Sequence, residues 1–415
     1  MIKNRKVSIG KFITGEKNNI CDVPGVLVGH YTINDNDNKT GITSIIPHSG
    51  NLFRNKVVAS SYVYNGFGKS IGLVQVEELG SIETPILLTN TLSVGKVTDG
   101  LVSYMLEENS DIGVSTSTVN SLVLECNDGS INKIQNRILK EDDVYYAISN
   151  ASSNFEQGSV GAGTGMKCHG FKGGIGSSSR IVTVQDEDYI LGVLVNSNFG
   201  SSNGKDLIFK GRSLGDLIKN YSLKQEEDKG SIIVVIATNA PLDSRQLHRI
   251  CKRAELGIAR TGSYAGNGSG DIIVAFSTEN QIIHDSKYAV STIQRFSDDF
   301  INVFFKAVVD ATEEAVLNSM LYSKLEKKES ISENLVFYVE KPLDKKLYAH
   351  IKQLPWISKG KAVAVISIYD LTKSLKIEKM QSDFVANASH ELRTPLSVIS
   401  GFVETLRTTA KDDAE

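Results

Sequence analysis

The stretch GSIIVVIATNAPLDSRQLHRICKRAELGIARTGSYAGNGSGDIIVAFST, residues 230–278, carries the most information about the fold. It contains two apolar runs, SIIVVIAT (231–238) and DIIVAFST (271–278), with a helical pattern over 241–261 between them. Continuous apolar runs of this length indicate strands that are buried on both faces. Two buried strands around a helix predict a sheet with helices packed over it, which is an α/β architecture.

The same pattern continues on both sides of this stretch. ILLTN (86–90) and YILGVLVNSN (189–198) are further predicted strands. Residues 291–328 predict a long helix, because apolar side chains recur there every three or four residues. The polar segment LEKKESISEN (325–334) then marks the end of this region.

Glycine is distributed unevenly along the 415 residues. The last 85 residues contain only Gly360 and Gly401, so the first 330 hold 33 of the 35 glycines. A chain of this length predicts two or three domains. The predicted strands LVFYVEK (335–341) and KAVAVISIYDLT (361–372), followed by a helical stretch from residue 373, therefore belong to a different kind of domain.

Charge, cysteines and short motifs exclude several classes of protein. A net charge of −3 gives no case for a nucleic-acid partner. The four cysteines form no CxxC pair, and HExxH and G-x-G-x-x-G are absent, so we expect neither a metal nor a cofactor. There is no signal-peptide pattern and no run of ~18 apolar residues, so we expect a cytoplasmic location without a membrane segment.

The junction KQEEDKG–SIIVVIAT places Gly230 and Ser231 between a charged loop and a buried strand. One interpretation is an ordinary loop that leads into a strand with a serine at its edge. The other is a strained Gly-Ser bond that cleaves by N→O acyl shift and leaves Ser231 as a new N-terminus. A free α-amine has a pKa of about 7.7–8.0, against ~10.4 for lysine, and can serve as the base for its own hydroxyl.

Two pairs of polar residues stand at strand ends with a spacing of two. Ser269 and Asp271 lie in a glycine-rich turn before a strand, and they would share one face if the extended conformation begins there. Asn196 and Asn198 close another strand, where a side-chain amide can donate to an oxyanion. A plain turn and a strand cap are the alternatives.

Taken in order, these segments resemble the serine aminopeptidase family of L-aminopeptidase/D-Ala-esterase-amidases and β-peptidyl aminopeptidases over residues 15–320. The segments that carry the resemblance are CDVPGVLVGH (21–30), LTNTLSVG (88–95), ECNDG (125–129), GSVGAGTGMKCHGFKGGIGSSSR (158–180), VLVNSNFG (193–200) and the stretch 230–278. The resemblance implies an αββα sandwich like that of N-terminal-nucleophile hydrolases, self-cleavage before Ser231, and a homo-oligomer, which in this family is often a tetramer of processed pairs. It also implies hydrolysis of N-terminal residues from short peptides, amides or esters.

Roles for individual residues follow from the same resemblance. Ser231 matches the nucleophile, and Ser269 and Asp271 match a Ser-x-acid pair whose acid can be glutamate in relatives. Asn198 matches the oxyanion-hole amide. Asn127 falls where some relatives use a tyrosine, so it is a candidate for substrate binding.

The tail contains S-H-E-L-R-T-P-L within residues 383–407, which resembles the phosphoacceptor box of phosphate-regulon-type sensor histidine kinases. The resemblance implies that His390 accepts a phosphoryl group, and that a kinase or a response regulator is the partner of the tail. We therefore expect an aminopeptidase domain over 1–328, a linker and partial PAS-like segment over 329–372, and a dimerisation helix over 373–415.

Three hypotheses remain open at this point. In the leading one the chain is a self-processing aminopeptidase. In the second it is a sensor histidine kinase whose front domain is the sensor, and in the third the tail is an accidental fusion without a role. Since no ATP-binding domain follows the box before Glu415, we expect no autophosphorylation from this chain alone.

Overall fold

The structure is a computed structural model that describes residues 9–201, 204–214 and 230–323, together with the backbone of three strands between 332 and 370. The chain divides into two compact units, Met1–Lys324 and Leu325–Glu415.

The first unit contains the strands and helices that build the predicted sandwich. Its strands are β1 (Leu27–Asn34), β2 (Lys39–Ile46), β3 (Asn55–Gly66), β4 (Ser81–Ile82), β5 (Ile86–Asn90), β6 (Leu122–Cys126), β7 (Lys167–Cys168), β8 (Phe171–Lys172), β9 (Gly174–Val184), β10 (Glu187–Asn198), β11 (Ile208–Phe209), β12 (Arg212–Ser213), β13 (Ser231–Thr238) and β14 (Gly270–Ile283). Its helices are α1 (Leu73–Leu79), α2 (Val94–Glu108), α3 (Glu141–Ser149), α4 (Ser244–Ala259) and α5 (Asn302–Leu321).

Two sheets face each other in this unit. The four-stranded sheet has the order β1-β2-β5-β6, and the six-stranded sheet has the order β4-β3-β14-β13-β10-β9. β13 and β14 run parallel and are joined through α4, whereas β10 pairs with β13 in the antiparallel sense. The stretch quoted at the outset therefore forms the centre of the larger sheet.

The core has three layers of apolar side chains, and β13 contributes to two of them. Ile233 and Val235 lie in the layer between the two sheets. Ile232 and Val234, on the opposite face of the strand, pack with side chains of α4 and α5. This alternation confirms that β13 is buried on both faces, as its continuous apolar run predicts.

The third layer covers the outer face of the four-stranded sheet. Leu87 of β5 and Val123 of β6 pack there against Leu101 of α2 and Val144 of α3. The order of layers is thus helices, four-stranded sheet, six-stranded sheet, helices. This arrangement is the αββα sandwich that the resemblance implies.

The two long helices differ in how well the sequence predicts them. α4 is confirmed but begins at Ser244, three residues after the predicted start, because the Asp243 side chain caps it by accepting from Gln246 N. The predicted start of the second helix at residue 291 is wrong, since α5 begins at Asn302. Ser297 instead caps a short 3₁₀ turn, Phe296 N donates to the Pro241 carbonyl, and residues 291–297 are neither helix nor strand.

The second unit contains a three-stranded antiparallel sheet. Its strands, in spatial order, are β15 (Ser332–Val339), β16 (Lys345–Ser358) and β17 (Lys361–Asp370). β15 and β17 correspond to the predicted strands, whereas the sequence did not lead us to expect β16. The predicted helix from residue 373, with His390, lies outside the described residues. Among the helices that the structure describes, none is long and apolar enough to cross a membrane.

Candidate active site

Ser231 is the first residue of β13 and lies at one end of the cleft between the two sheets. Its side chain shares the inward face of the strand with Ile233, and the residue is only 5% exposed. In the six-stranded sheet it stands opposite Asn198 of β10 on one side and opposite Gly270 of β14 on the other. The sheet pairing therefore gathers three chain segments around this hydroxyl.

The end of β6 in the four-stranded sheet closes the cleft over Ser231. Asn127 N lies 3.4 Å from Ser231 Oγ and donates to it. Burial raises the pKa of the adjacent Cys126 thiol, a hydrogen bond from the Ser231 side chain lowers it, and the carboxylates of Glu125 and Asp271 raise it. The Cys126 thiol itself donates to the Asn196 carbonyl of β10 at 3.4 Å, so the end of β6 also contacts the six-stranded sheet here.

Of the two candidate amides on β10, only Asn198 is opposite Ser231. Asn198 Nδ2 donates to the Asn127 carbonyl at 2.9 Å, and Oδ1 accepts from Lys167 N at 3.0 Å. Asn196 pairs with Ile233, two residues further into the sheet, and its side-chain amide has no hydrogen-bond partner among the described residues. Asn198 therefore ties the two sheets together beside the hydroxyl.

Ser269 and Asp271 lie together on either side of Gly270. Ser269 Oγ donates to Asp271 Oδ1 at 2.6 Å, and both residues are buried. The Phe67 N–H donates to the Ser269 carbonyl at 3.2 Å, so the segment after β3 covers this turn. The spacing of two thus brings the hydroxyl and the carboxylate into contact, as the sequence predicts.

Asn127 reaches Ser231 through its main chain, not its side chain. The side chain is exposed, and its Oδ1 accepts from Gly129 N at 3.0 Å in a local turn. The turn is anchored by buried Asp128, whose Oδ1 accepts from Asn132 Nδ2 at 3.0 Å. Burial raises the pKa of Asp128 to about 6.

Gly230 is held tightly at the other side of the Gly-Ser bond. A Cβ on this residue would lie 2.0 Å from the Asn198 carbonyl oxygen and 2.4 Å from Phe199 Cα. The Gly230 carbonyl oxygen accepts from Gly270 N at 3.3 Å. Only glycine fits against the backbone at this position, so the bond before Ser231 has a defined orientation.

Glu125 is a site residue that our sequence analysis missed. It is 3% exposed at the end of β6, where Oε1 accepts from Lys69 N at 2.8 Å and Oε2 accepts from the Thr91 hydroxyl. A Cβ on Gly68 would lie 3.6 Å from Glu125 Oε1, and Gly68 in turn covers Gly270. The signal was present in the motif ECNDG, from which only Asn127 was taken.

The described residues contain no cluster of three or more His, Cys, Asp or Glu side chains that could hold a metal ion. Around Ser231 the structure brings the Asn127 N–H and the strand end that carries Asn198, and the buried Ser269–Asp271 pair flanks Gly270 on the neighbouring strand. Such groups can bind and orient a carbonyl compound and can move protons, which is the chemistry of acyl transfer.

Comparison with known proteins gives matches for both parts of the chain. Residues 18–329 match peptidase family S58. Residues 380–415 match the His kinase A phosphoacceptor domain, and 53 residues are 47% identical to the phosphate regulon sensor protein PhoR of Pseudomonas aeruginosa, covering 13% of this chain and 12% of that one. Both resemblances noted in the sequence are thereby confirmed.

Relatives of the first unit are similar over most of their length. The β-peptidyl aminopeptidase BapA of Sphingosinicella microcystinivorans is 35% identical over 331 residues, covering 74% of this chain and 82% of the relative. A crystal structure of a Pyrococcus horikoshii protein shares 50% identity with a TM-score of 0.73, covering 77% and 90%. The L-aminopeptidase D-Ala-esterase/amidase of Ochrobactrum anthropi, described as a serine aminopeptidase with a variant of the Ntn hydrolase fold, shares 33% identity with a TM-score of 0.70, covering 76% and 89%.

The family match spans about three quarters of the chain, and the αββα layers and the buried serine at the start of β13 agree with it. The chain therefore belongs to peptidase family S58 and is a serine aminopeptidase of the N-terminal-nucleophile type.

Proposed function

We propose that the chain cleaves itself between Gly230 and Ser231 and that the processed enzyme removes N-terminal residues from short peptides, amides or esters. The observation that carries this proposal is the position of Ser231. It directly follows a tightly seated glycine, begins a buried strand and faces the cleft where both sheets supply polar groups. A merely structural serine at a strand edge would not need these surroundings.

Self-cleavage proceeds by N→O acyl shift. Ser231 Oγ adds to the carbonyl carbon of Gly230, and its proton passes by way of the Ser269–Asp271 pair to the departing nitrogen of Ser231. The C–N bond breaks, which leaves an ester between Gly230 and Ser231 Oγ and a free α-amine. Water hydrolyses the ester, giving a carboxylate on Gly230 and restoring the hydroxyl.

The processed enzyme then uses the same hydroxyl on its substrate. Ser231 Oγ adds to the carbonyl carbon of the substrate's first residue, and the new α-amine of Ser231 takes the Oγ proton. The α-amine then gives this proton to the leaving amine. Water releases the acyl group in the second half of the reaction. Asn198 and the Asn127 N–H supply the amides closest to the reacting oxygen, and Ser269 with Asp271 orients the nucleophile.

Glu125 is the group that we assign to the substrate's ammonium. An aminopeptidase must hold a positive charge near the scissile carbonyl, and a buried carboxylate provides a strong partner for it. Glu125 Oε1 accepts from Lys69 N and Oε2 accepts from the Thr91 hydroxyl, and each oxygen of a carboxylate can accept a second hydrogen bond. Its neighbour Gly68 packs against Gly270, which stands opposite Ser231.

The relatives named β-peptidyl aminopeptidase make β-amino acids a candidate for the substrate's first residue. p-Nitroanilides of L-, D- and β-amino acids, tested side by side, distinguish this preference from one for α-amino acids.

Self-association is a further part of the proposal. Apolar side chains are exposed around α1, where Val74 is 84%, Phe67 64% and Leu79 63% exposed. Exposed apolar patches commonly mark protein contacts, and a second copy of this chain would cover this one. Light scattering after size exclusion should give a multiple of the 45.2 kDa chain mass, and four times that mass for the tetramer that the resemblance implies.

We propose a reducing, cytoplasmic-type environment for the enzyme. All four cysteines are buried free thiols, which fits a compartment where disulfides do not form. Full labelling of four thiols in the denatured protein isolated from cells would support this, and disulfide-linked species would contradict it.

For the tail we propose that His390 accepts a phosphoryl group from a separate kinase. The match to the phosphoacceptor domain supports this second candidate function. With radiolabelled ATP, we expect labelling of His390 only when a kinase catalytic domain is added. Labelling of the chain alone, or of His390→Gln, would contradict it.

The main proposal is tested by a denaturing gel of the purified chain. Cleavage before Ser231 gives fragments of 230 and 185 residues. We expect both fragments in wild type and in the control variant Ser286→Ala, and an intact chain in Ser231→Ala. An intact wild-type chain, or cleavage of the Ser231→Ala variant, would contradict the proposal.

A further inference from the structure

The carbonyl oxygen of the bond to be cleaved already has a main-chain donor. The Gly230 oxygen accepts from Gly270 N at 3.3 Å, in the parallel pairing of β13 with β14. In a parallel sheet this contact is an ordinary ladder bond. Here it ends on the carbonyl to which Ser231 Oγ adds, so it touches a reacting atom.

We propose that the main-chain N–H of Gly270 is the oxyanion donor of self-cleavage, an inference that rests on the proposed self-processing. When Oγ adds to the Gly230 carbonyl carbon, the negative charge develops on the oxygen that this N–H already faces. A hydrogen bond to a charged oxygen is shorter, at about 2.7–2.9 Å for an N–H donor, and roughly twice as strong as a neutral one. The donor thus stabilises the tetrahedral intermediate more than the starting amide.

The donor is held in place before the reaction begins. Phe67 N donates to the Ser269 carbonyl, and the segment after β3 lies directly on Gly270. A Cβ on Gly270 would lie 2.8 Å from the Phe67 carbonyl oxygen and 3.2 Å from Gly68 Cα. The pairing with β13 holds the other side, so the N–H needs no rearrangement to meet the developing charge.

The acceptor is equally constrained. Gly230 sits against the backbone of Asn198 and Phe199, where a side chain would not fit. The Asn198 amide is occupied in the uncleaved chain, with Nδ2 on the Asn127 carbonyl and Oδ1 on Lys167 N. The Gly230 oxygen therefore meets the Gly270 N–H, whereas Asn198 Nδ2 is directed toward the Asn127 carbonyl.

The test removes this one N–H without adding a side chain. Glycolic acid placed at position 270 by nonsense suppression in cell-free translation of the full chain replaces the amide with an ester. The matched control is an ester at Val274, made with α-hydroxyisovaleric acid. Val274 lies four residues after Gly270 on β14. Because main-chain N–H groups alternate in direction along a strand, the Val274 N–H also points to β13.

Cleavage is followed on denaturing gels over time in all three proteins. We expect the ester at 270 to slow cleavage on the order of 100-fold, the size of effect for one oxyanion donor. The ester at 274 should cleave at the wild-type rate. Equal rates for the two esters would overturn the assignment, because both lose one ladder bond. A wild-type chain that stays intact would overturn the proposed self-processing itself.

Discussion

The six-stranded and four-stranded sheets meet at the same end of the cleft but supply different chemistry. The larger sheet brings Ser231 and the Ser269–Asp271 pair. It also brings Gly230, whose carbonyl belongs to the bond to be cleaved, and Gly270, whose N–H donates to that carbonyl. The smaller sheet brings Glu125 and the Asn127 N–H. We propose that the six-stranded sheet carries the groups that self-cleavage needs and that the four-stranded sheet adds Glu125, which only a separate substrate needs.

This division separates the two reactions proposed for the site. Self-cleavage involves a bond that is already part of the six-stranded sheet, so it has no need of an ammonium-binding carboxylate. Peptide hydrolysis needs both sheets, because the substrate must be held before Ser231 can attack it. Variants on the two sheets should therefore have different effects on the two reactions.

The largest effect is expected on the six-stranded sheet. In Asp271→Asn, both self-cleavage and peptide hydrolysis should slow by about 10²–10⁴-fold, because general acid–base catalysis contributes on that scale. Gel time courses and p-nitroanilide rates measure the two reactions separately. Asp285→Asn, a change at an exposed carboxylate, is the control. Normal rates for either reaction in Asp271→Asn would remove this residue from the proposed mechanism.

Glu125→Gln should affect only one of the two reactions. Self-cleavage should continue at the wild-type rate, while kcat/KM for substrates with a free amine should fall by about 10–100-fold, since a charge-assisted hydrogen bond is lost. Rates for a poorly cleaved N-acetylated substrate should stay the same. Equal losses on the two substrates, or loss of self-cleavage, would contradict the division between the sheets.

Gly230→Ala should slow self-cleavage and leave peptide hydrolysis unchanged, which is the reverse of the result expected for Glu125→Gln. The added Cβ would meet the Asn198 carbonyl oxygen, so the bond must shift, and self-cleavage should slow by roughly 10-fold or more. Once a chain has been cleaved, its activity per active site should equal that of wild type. Gly95→Ala, where a Cβ meets nothing within 4 Å, is the matched control. A processed Gly230→Ala enzyme with reduced activity would show that Gly230 also serves the substrate.

The smallest effect concerns stability and compares one histidine near each sheet. Burial lowers the pKa of His30, on β1, and of His169, beside Phe199, to about 4 from 6.5. The unfolded chain therefore binds more protons than the folded one between pH 6.5 and 4, so stability should fall as the pH falls through that window. Each histidine should contribute about 1–3 kcal/mol to the loss.

Thermal unfolding midpoints at pH 7 and pH 4.5 measure this effect. His30→Gln and His169→Gln should each reduce the difference between the two midpoints, and the double variant should reduce it further. An unchanged difference in the double variant would assign the acid sensitivity to other groups.

Most of the fold was predictable from local sequence. The apolar runs of β13 and β14 lie buried on both faces because alternate side chains of a strand point to opposite sides, and both sides here carry apolar layers. The start of α5 was not predictable from periodicity. Ser297 and Phe296 make local and long-range contacts that end the helical pattern at that point, and Phe296 reaches Pro241 across the fold.

The candidate site was predictable only where its side chains belong to recognisable sequence motifs. Ser231, Ser269, Asp271 and Asn198 stand at strand ends in motifs that can be read from the chain. Asn127 was named for its side chain, yet its contact to Ser231 is made by the main chain. Glu125 stands in the same motif, ECNDG, as Asn127, but its contacts with Lys69 N and Thr91 are long-range and cannot be predicted from the motif alone.

The sequence by itself determined the layered α/β architecture, the Gly230–Ser231 junction and the pairing of Ser269 with Asp271, because these depend on strand periodicity and on neighbours one or two residues apart. Only the tertiary structure decided that Gly270 N–H meets the Gly230 carbonyl, that Asn127 N–H meets Ser231 Oγ, and that Glu125 lies against Gly68, which covers Gly270. Every residue except proline has a main-chain N–H, so the residue type does not show which of these groups acts as a donor. Residues about 40 to 100 positions apart meet only through the pairing of strands and the packing of two sheets.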